Sequence, residues 1–338
     1  MIITNPGLLS DARFEVKYLD NYQADAREGE DVIRGLTSSP KTLPPKYFYD
    51  SRGSELFERI CELPEYYLTR TETAILVSVC EEIASITGLC ELVELGSGNS
   101  QKTRLLLSAY ENLGKPWRYI PIDVSRDTLY NSALKLFHDY PLLSILGLVG
   151  TYEQALLQLP SPWHRRMLIF LGSTLGNFTP EETEEFFGLV RQVLNPGDYF
   201  LLGIDLQKPI DIVEKAYNDS QGITAAFNLN ILSHLNWRFE GNFNLALFEH
   251  QAIYNPEKHQ IEMYLQAVKA HTVVLNKLDL EIAFKGGDRI LTEISRKFDL
   301  QNIMATLGKY DLKTVKYWTD KNQWFALILT QINTTNLC

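Results

Sequence analysis

Between residues 91 and 206, short and almost wholly apolar runs alternate with amphipathic stretches, and this rhythm restricts the fold more than any other feature of the chain. ELVEL (91–95) enters Gly96-Ser97-Gly98-Asn99-Ser100 and is followed by KTRLLLSAYENL (102–113), whose leucines gather on one helical face. RYIPIDVS (118–125) precedes a helical 126–138, and LSILGLVG (143–150) precedes a helical 152–159. MLIFLGS (167–173) reads as a buried strand. Thr179-Pro180-Glu181-Glu182 is a capping box that opens a helix to about Leu194, and Asn195-Pro196-Gly197-Asp198 ends it before YFLLGIDL (199–206). Five strands without polar alternation, separated by helices, predict an α/β fold with a parallel sheet covered on both faces.

The rhythm breaks after Asp205. Helical segments at about 210–218 and 222–238 lead into HQAIYN, QIEMYLQAV, HTVVLN and LEIAF, which alternate at period two between turn signals at Asn255-Pro256 and Gly286-Gly287. These predict an antiparallel sheet. A helix at about 300–308 precedes LKTVKYWTD and WFALILTQI, joined by an Asp320-Lys321-Asn322 turn, a hairpin suited to the edge of the parallel sheet. The expected division is therefore discontinuous: 73–207 with 297–333 form the sheet domain, and 10–72 with 208–296 form a second, α+β domain.

Charge and composition narrow the function. With 42 acidic against 32 basic residues the net charge is −10, so no bulk positive field attracts a nucleic-acid backbone. The longest uncharged run, Ser220 to Trp237, carries Asn228, Asn230, His234 and Asn236 and reads as a buried or cleft-lining helix rather than a membrane span. Met1 to Val16 has neither a basic nor an apolar leader segment, which leaves the cytoplasm as the expected compartment. Cys61, Cys80, Cys90 and Cys338 show no CxxC spacing and no His partners at zinc-like intervals, so reduced thiols and no metal are expected. No feature specifies an oligomer, and a monomer is the expectation.

Glu94-Leu95-Gly96-Ser97-Gly98 lies after a strand and before a helix, where glycines let backbone approach a ligand and the helix start offers free N–H groups. A dinucleotide fingerprint needs a third glycine where Gln101 stands, which disfavours NAD or FAD. The E-x-G-x-G pattern instead resembles the first motif of class I S-adenosylmethionine-dependent methyltransferases, whose Rossmann-like sheet also carries a terminal antiparallel hairpin. Asp123, ending the next strand, suits ribose hydroxyls; alternatively it serves as a helix cap, or Ser125 caps while Asp123 binds.

A more specific resemblance runs along nearly the whole chain. LPPKYFYDSRGSELFERICELPEYYLTRTE (43–72), ELGSGNSQKTRLLL (94–107), FLGSTLGNF (170–178), AYNDSQGITAAFNLNIL (216–232), FEHQAIYN (248–255), IEMYL (261–265) and LTEISRKF (291–298) resemble the histidine Nα-methyltransferases of ergothioneine biosynthesis. The resemblance implies trimethylation of the α-amine of L-histidine to hercynine, with S-adenosyl-L-methionine as cofactor and S-adenosyl-L-homocysteine as its product. It implies that Gly96, Ser97, Lys102 and Asp123 line the cofactor site. The family commonly has Gly-Asp-Phe where this chain has Gly150-Thr151-Tyr152, so the adenine contact would pass to the Thr151 oxygen or backbone. It further implies an amino-acid pocket of Tyr49, Phe57, Tyr66, Asn177, Tyr217, Met263, Glu293 and Ser295. In it Asn177 and Tyr217 would meet the α-carboxylate, Glu293 and Ser295 the imidazole nitrogens, and Tyr66 the amine.

Other readings exist for each residue. Glu293 and Ser295 alternate and would share a strand face exposed to solvent; Tyr66 and Met263 are also ordinary core fillers; Asn177 after Gly176 is also a left-handed turn residue. Alternatives for the whole are a methyltransferase for tryptophan or tyrosine, a non-catalytic S-adenosylmethionine sensor, and a dinucleotide oxidoreductase.

Overall fold

The computed structural model describes residues 12–19 and 28–333. Its strands are β1 (Phe14–Tyr18), β2 (Lys41–Thr42), β3 (Cys90–Leu95), β4 (Trp117–Asp123), β5 (Leu143–Val149), β6 (Arg165–Phe170), β7 (Tyr199–Asp205), β8 (Phe248–Asn255), β9 (Gln260–Ala267), β10 (His271–Leu275), β11 (Leu280–Phe284), β12 (Arg289–Arg296), β13 (Leu312–Thr319) and β14 (Phe325–Ile332). Eight form one sheet in the order β1-β5-β4-β3-β6-β7-β14-β13. Pairing is parallel from β1 across to β7, whereas β14 runs antiparallel to β7 and β13 antiparallel to β14.

The apolar runs without alternation are explained by two cores, one on each face of this sheet. Val93, Leu95, Ile120 and Phe170 point into one, Leu92, Tyr119, Ile145 and Ile169 into the other. The order reverses at β3, which has β4 on one side and β6 on the other. Ligands of open α/β sheets bind outside the strand ends at such a switch point, and here that is where the Gly96 loop begins. The expected capping box forms: Glu182 N donates to Thr179 Oγ1 at 3.2 Å and Thr179 N to Glu182 Oε2 at 2.8 Å. Ser125 makes no side-chain cap; its hydroxyl donates to Thr128 Oγ1 at 2.8 Å.

The remaining strands build a four-stranded sheet, β2-β12-β9-β8, and a β10-β11 hairpin. Their core draws on residues 32–68 and 213–290 and centres on helix Ile223–Phe239, whose Ile231, Leu232 and Leu235 are fully buried. Three of the polar residues of that helix are paired. Asn230 Nδ2 donates to Asp50 Oδ1 at 2.8 Å, His234 Nδ1 meets Tyr47 O at 2.8 Å, and Asn228 Nδ2 donates to Tyr264 O at 3.0 Å. Among the described residues no helix is long and apolar enough to cross a membrane.

One expectation needs correction. Phe14–Tyr18 falls within the 10–72 segment assigned from sequence to the second domain, yet it pairs in parallel with β5 and extends the large sheet. Residues 10, 11 and 20–27 of that segment lie outside the described residues, as does Cys338. Cys61, Cys80 and Cys90 are free thiols.

Candidate active site

Strand β3 stops at Leu95 because Gly96 (φ 69°) and Gly98 (φ 49°) turn into the left-handed region that glycine tolerates. A Cβ on Gly96 would stand 2.9 Å from the Tyr152 hydroxyl, whereas one on Gly98 would meet open space. The loop is held from below. Gly96 N and Ser97 N donate to Ile122 O at 2.9 and 3.1 Å, and the Asp123 carboxylate accepts Gly98 N at 2.9 Å and Ser125 N at 2.8 Å. Asp123 is thus the organiser of the loop; burial pushes its carboxyl upward against these N–H bonds and a further one from Val124. The Ser97 hydroxyl is buried with no hydrogen-bond partner among the described residues. An orphaned donor beside open space at Gly98, next to a buried carboxylate, fits a polar cofactor with ribose hydroxyls.

Two residues expected at the cofactor are engaged in the scaffold. Lys102 forms an ion pair with the fully buried Glu72, whose oxygens also accept Gly172 N at 2.8 and 3.1 Å. Thr151 caps helix Tyr152–Leu157: its Oγ1 accepts Gln154 N at 3.4 Å while Gln154 Oε1 accepts Thr151 N at 3.2 Å. Its hydroxyl proton remains to offer. Tyr152 packs edge-on against Phe170, with ring centroids 5.4 Å apart, and faces Gly96. Glu94, the acidic residue of the motif, receives Thr103 Oγ1 at 2.5 Å and the Tyr119 hydroxyl, and burial pushes its carboxyl up to about 7.

Beyond the loop lies a small cavity, with about 20 Å³ open to the centre of a water-sized sphere. Five of the residues expected in the amino-acid pocket line it: Phe57, Tyr66, Tyr217, Met263 and Glu293. Helix Ser51–Glu62 supplies Phe57, the end of helix Ile210–Tyr217 supplies Tyr217, and Met263 and Glu293 are cross-strand partners on β9 and β12. A bulge between Leu291 and Glu293 shifts the register just before Glu293, a device that re-aims a side chain. Glu293 therefore faces a cavity rather than solvent, and burial pushes its carboxyl up to about 7 despite the opposing charge of Lys297. Ile60, Ala216, Thr224 and Phe227 complete the lining and were not anticipated from sequence. Thr224 and Phe227 sit one helical turn apart at the start of helix Ile223–Phe239, the available signal for them.

The other three expected residues are not part of its lining. Tyr49 is 38% exposed and stands edge-on to Phe57 and Phe227 at 5.9 and 6.0 Å. Desolvation, with Glu293, Tyr152 and Asp123 adding to it, pushes its phenol well above the usual value. Asn177 closes the short turn Thr174–Asn177 after β6; it is half-buried, and its side chain makes no hydrogen bond among the described residues. The left-handed residue of that turn is Ser173 (φ 56°), so Asn177 is not there for its backbone. Ser295 is buried, 2.8 Å from the Tyr217 hydroxyl and 2.8 Å from Lys297 Nζ.

Tyr66 completes the site. Its ring is edge-on to Phe57 and Tyr217 at 6.4 and 6.1 Å, and its hydroxyl has no hydrogen-bond partner among the described residues. Burial, reinforced by Tyr217, pushes this phenol well above its ordinary value. It keeps its proton through the neutral range, which suits an orienting hydroxyl and not a general base. Lys297 and Asp205, behind Tyr217, were also missed; the 293-295-297 alternation in LTEISRK was the sign of Lys297. Among the described residues no group of His, Cys, Asp and Glu could hold a metal ion.

The model of a family described as histidine-specific methyltransferase, SAM-dependent, matches residues 28–332. A histidine N-alpha-methyltransferase of Mycolicibacterium smegmatis is 43% identical over 315 residues, covering 92% of this chain and 98% of that one. Its namesake in Mycobacterium tuberculosis is 42% identical, over 88% and 93% of the two chains. Ergothioneine biosynthesis protein 1 of Neurospora crassa is 33% identical over 86% of this chain, which spans 33% of that longer protein. A glycine loop at the switch point of a parallel sheet, a closing antiparallel hairpin and a family match across both cores lead to one conclusion: this chain belongs to the histidine-specific, S-adenosylmethionine-dependent methyltransferases.

Proposed function

We propose that this chain methylates the α-amino nitrogen of L-histidine three times, giving hercynine, as the first step of ergothioneine biosynthesis. The observation that carries this reading is a cavity lined by one carboxyl, that of Glu293, together with Tyr66, whose hydroxyl has no partner among the described residues. When bound, S-adenosylmethionine supplies an electrophilic methyl carbon on a sulfonium. Ser97, Asp123 and the turn of Gly96 would hold it, with Tyr152 against the loop and the Thr151 hydroxyl within the adenine region. The Lys102–Glu72 pair fixes the start of the following helix.

In this reading Glu293 accepts a hydrogen bond from an imidazole N–H, with Ser295 nearby. Phe57, Met263 and Tyr49 wall the ring. The Asn177 amide and the Tyr217 hydroxyl donate to the α-carboxylate, and in the first two transfers the Tyr66 oxygen accepts an amine N–H and turns the nitrogen lone pair outward; in the third, no N–H remains and the carboxylate and ring contacts hold the nitrogen. An α-amino group titrates near roughly 8 and is mostly protonated at neutral pH, so a proton must leave before each transfer. Water can take it. After the third transfer the nitrogen is quaternary, with no proton to lose and no lone pair, and the sequence stops. Alignment of the amine supplies the larger share of the acceleration.

Selectivity follows from Glu293. An apolar side chain in the cavity would leave a carboxylate desolvated and unpaired, and an indole or phenol needs more room beside Met263. The test is a side-by-side assay with histidine, tryptophan and tyrosine read by mass spectrometry. A gain of three methyl groups on histidine alone is expected, and preferential methylation of either other amino acid would overturn the assignment.

A further inference from the structure

Behind the cavity wall lies a fully buried ammonium. Lys297 Nζ has Ser295 Oγ at 2.8 Å, Asp205 Oδ2 at 3.0 Å and the Tyr217 hydroxyl at 3.1 Å, one acceptor for each of its three protons. Asp205 is itself saturated: Lys208 lies 2.6 Å from its other oxygen, and the Tyr67 hydroxyl donates to Oδ2 at 2.7 Å. Lys297, though desolvated, is held above the ordinary lysine range by Tyr217 and Asp205, so it stays a donor.

This fixes a proton direction. An ammonium only donates, so both hydroxyls must accept from Lys297. Tyr217 and Ser295 also lie 2.8 Å from each other and share a single hydrogen bond, which consumes one of their two protons. One proton is left over. If Tyr217 donated to Ser295, the remaining proton would belong to Ser295, which lies behind the lining and meets no further acceptor among the described residues. If Ser295 donates to Tyr217, the remaining proton is the Tyr217 phenol's, and Tyr217 lines the cavity. We infer that Lys297 is a positioning residue which, through Ser295 and directly, makes Tyr217 an obligate hydrogen-bond donor into the cavity and so selects amino acids with a free α-carboxylate.

The inference rests on the proposed amino-acid methylation, but it concerns the carboxylate end and not the ring. A substrate whose carboxylate is replaced by a carboxamide can turn its oxygen to Tyr217 but offers no charge to the ammonium behind it; one lacking the group leaves the donor unpaired. Kinetics of the full chain test this, with histidine, histidinamide and histamine as substrates for the wild type and for Lys297→Met, Tyr217→Phe and the double variant. For histidine, Lys297→Met should raise KM at least tenfold with kcat within about threefold, leave S-adenosylhomocysteine binding unchanged, and add nothing to the loss in Tyr217→Phe. The wild-type preference for histidine over histidinamide should shrink by the same factor in Lys297→Met. Additive losses, or a fall in kcat at constant KM, would overturn the inference. Should Lys297→Met fail to fold, Lys297→Gln, whose amide can still donate, should show a smaller KM rise than Tyr217→Phe, and a larger one counts against the idea. If the wild type methylates a different amino acid, the reading of the substrate fails while the same comparison on that substrate still decides the role of Lys297.

Discussion

Glu293 and Tyr66 carry opposite lessons about burial. The Glu293 carboxyl ordinarily titrates near 4.5 and is pushed to about 7 in the folded chain. The folded state therefore retains a proton that the unfolded state releases, so this residue's contribution to stability is fully present below about pH 4.5 and is lost as pH rises through 7. Glu293→Gln should consequently make the free protein more stable at pH 8, by about 1–3 kcal/mol, and leave stability at pH 4 nearly unchanged. The same change removes a charged acceptor for the imidazole and should raise the histidine KM about tenfold to a hundredfold. Thermal unfolding at the two pH values, run beside steady-state kinetics, separates these effects; a variant that loses both stability and affinity at pH 8 would contradict the argument. Tyr66, held protonated by burial, cannot supply the titration that governs the reaction. Tyr66→Phe should lower kcat by at least tenfold while histidine binding changes less than threefold, and the midpoint of the pH profile should stay in place. A displaced midpoint would give Tyr66 the role of base instead.

At the level of elements, what could be read in advance was whatever is encoded by neighbours in the chain. The Thr179 to Glu182 capping box, the Gly96 turn and the closing hairpin each depend on residues within one or two turns of one another, and all three are found. Strand β1 escaped because FEVKY alternates half-buried with exposed residues and acquires its partner only from β5, far along the chain. The cluster behind Tyr217 escaped for the same reason: Tyr67, Lys297 and the Asp205–Lys208 pair come from three separated places. Helix Tyr152–Leu157 shows how one position serves two ends. Thr151 lies where the family commonly has Asp, and here its oxygen caps the helix. Aspartate is at least as good an N-cap as threonine and adds a charge favourable to the helix start, so Thr151→Asp preserves the cap while introducing a stronger acceptor for an adenine amino group. Calorimetry should show tighter S-adenosylmethionine binding in Thr151→Asp with an unaltered melting temperature; equal affinity would mean that the adenine does not reach this residue.

On the scale of the whole molecule, the chain gives β1 to the large sheet, builds part of the core around helix Ile223–Phe239, crosses the sheet, returns to that core and closes with β13 and β14, so no core is contiguous in sequence. Helix Tyr67–Thr87 joins them. Its first turn, with Tyr67 and Leu68, packs in the core around helix Ile223–Phe239, and its later residues Ile75, Leu76 and Ile83 pack beneath the sheet. Glu72 lies at the crossing, fully buried, tied to Lys102 at the glycine loop and to Gly172 N beyond β6, and so close to β7 that a Cβ on Gly203 would approach its Oε1 to 2.2 Å. One side chain thus connects the helix shared by both cores to the cofactor loop and to the turn that carries Asn177. Breaking a buried ion pair by removing one partner leaves the other uncompensated. Lys102 keeps some solvent contact, which moderates the loss, and Glu72→Gln should lower the unfolding free energy by about 3 kcal/mol. Because the clamp sits where the cores meet, denaturant unfolding followed by tryptophan fluorescence should remain one transition with its midpoint lowered. Two transitions, only one of them shifted from the wild type, would show that the cores unfold separately and that Glu72 serves the cofactor side alone.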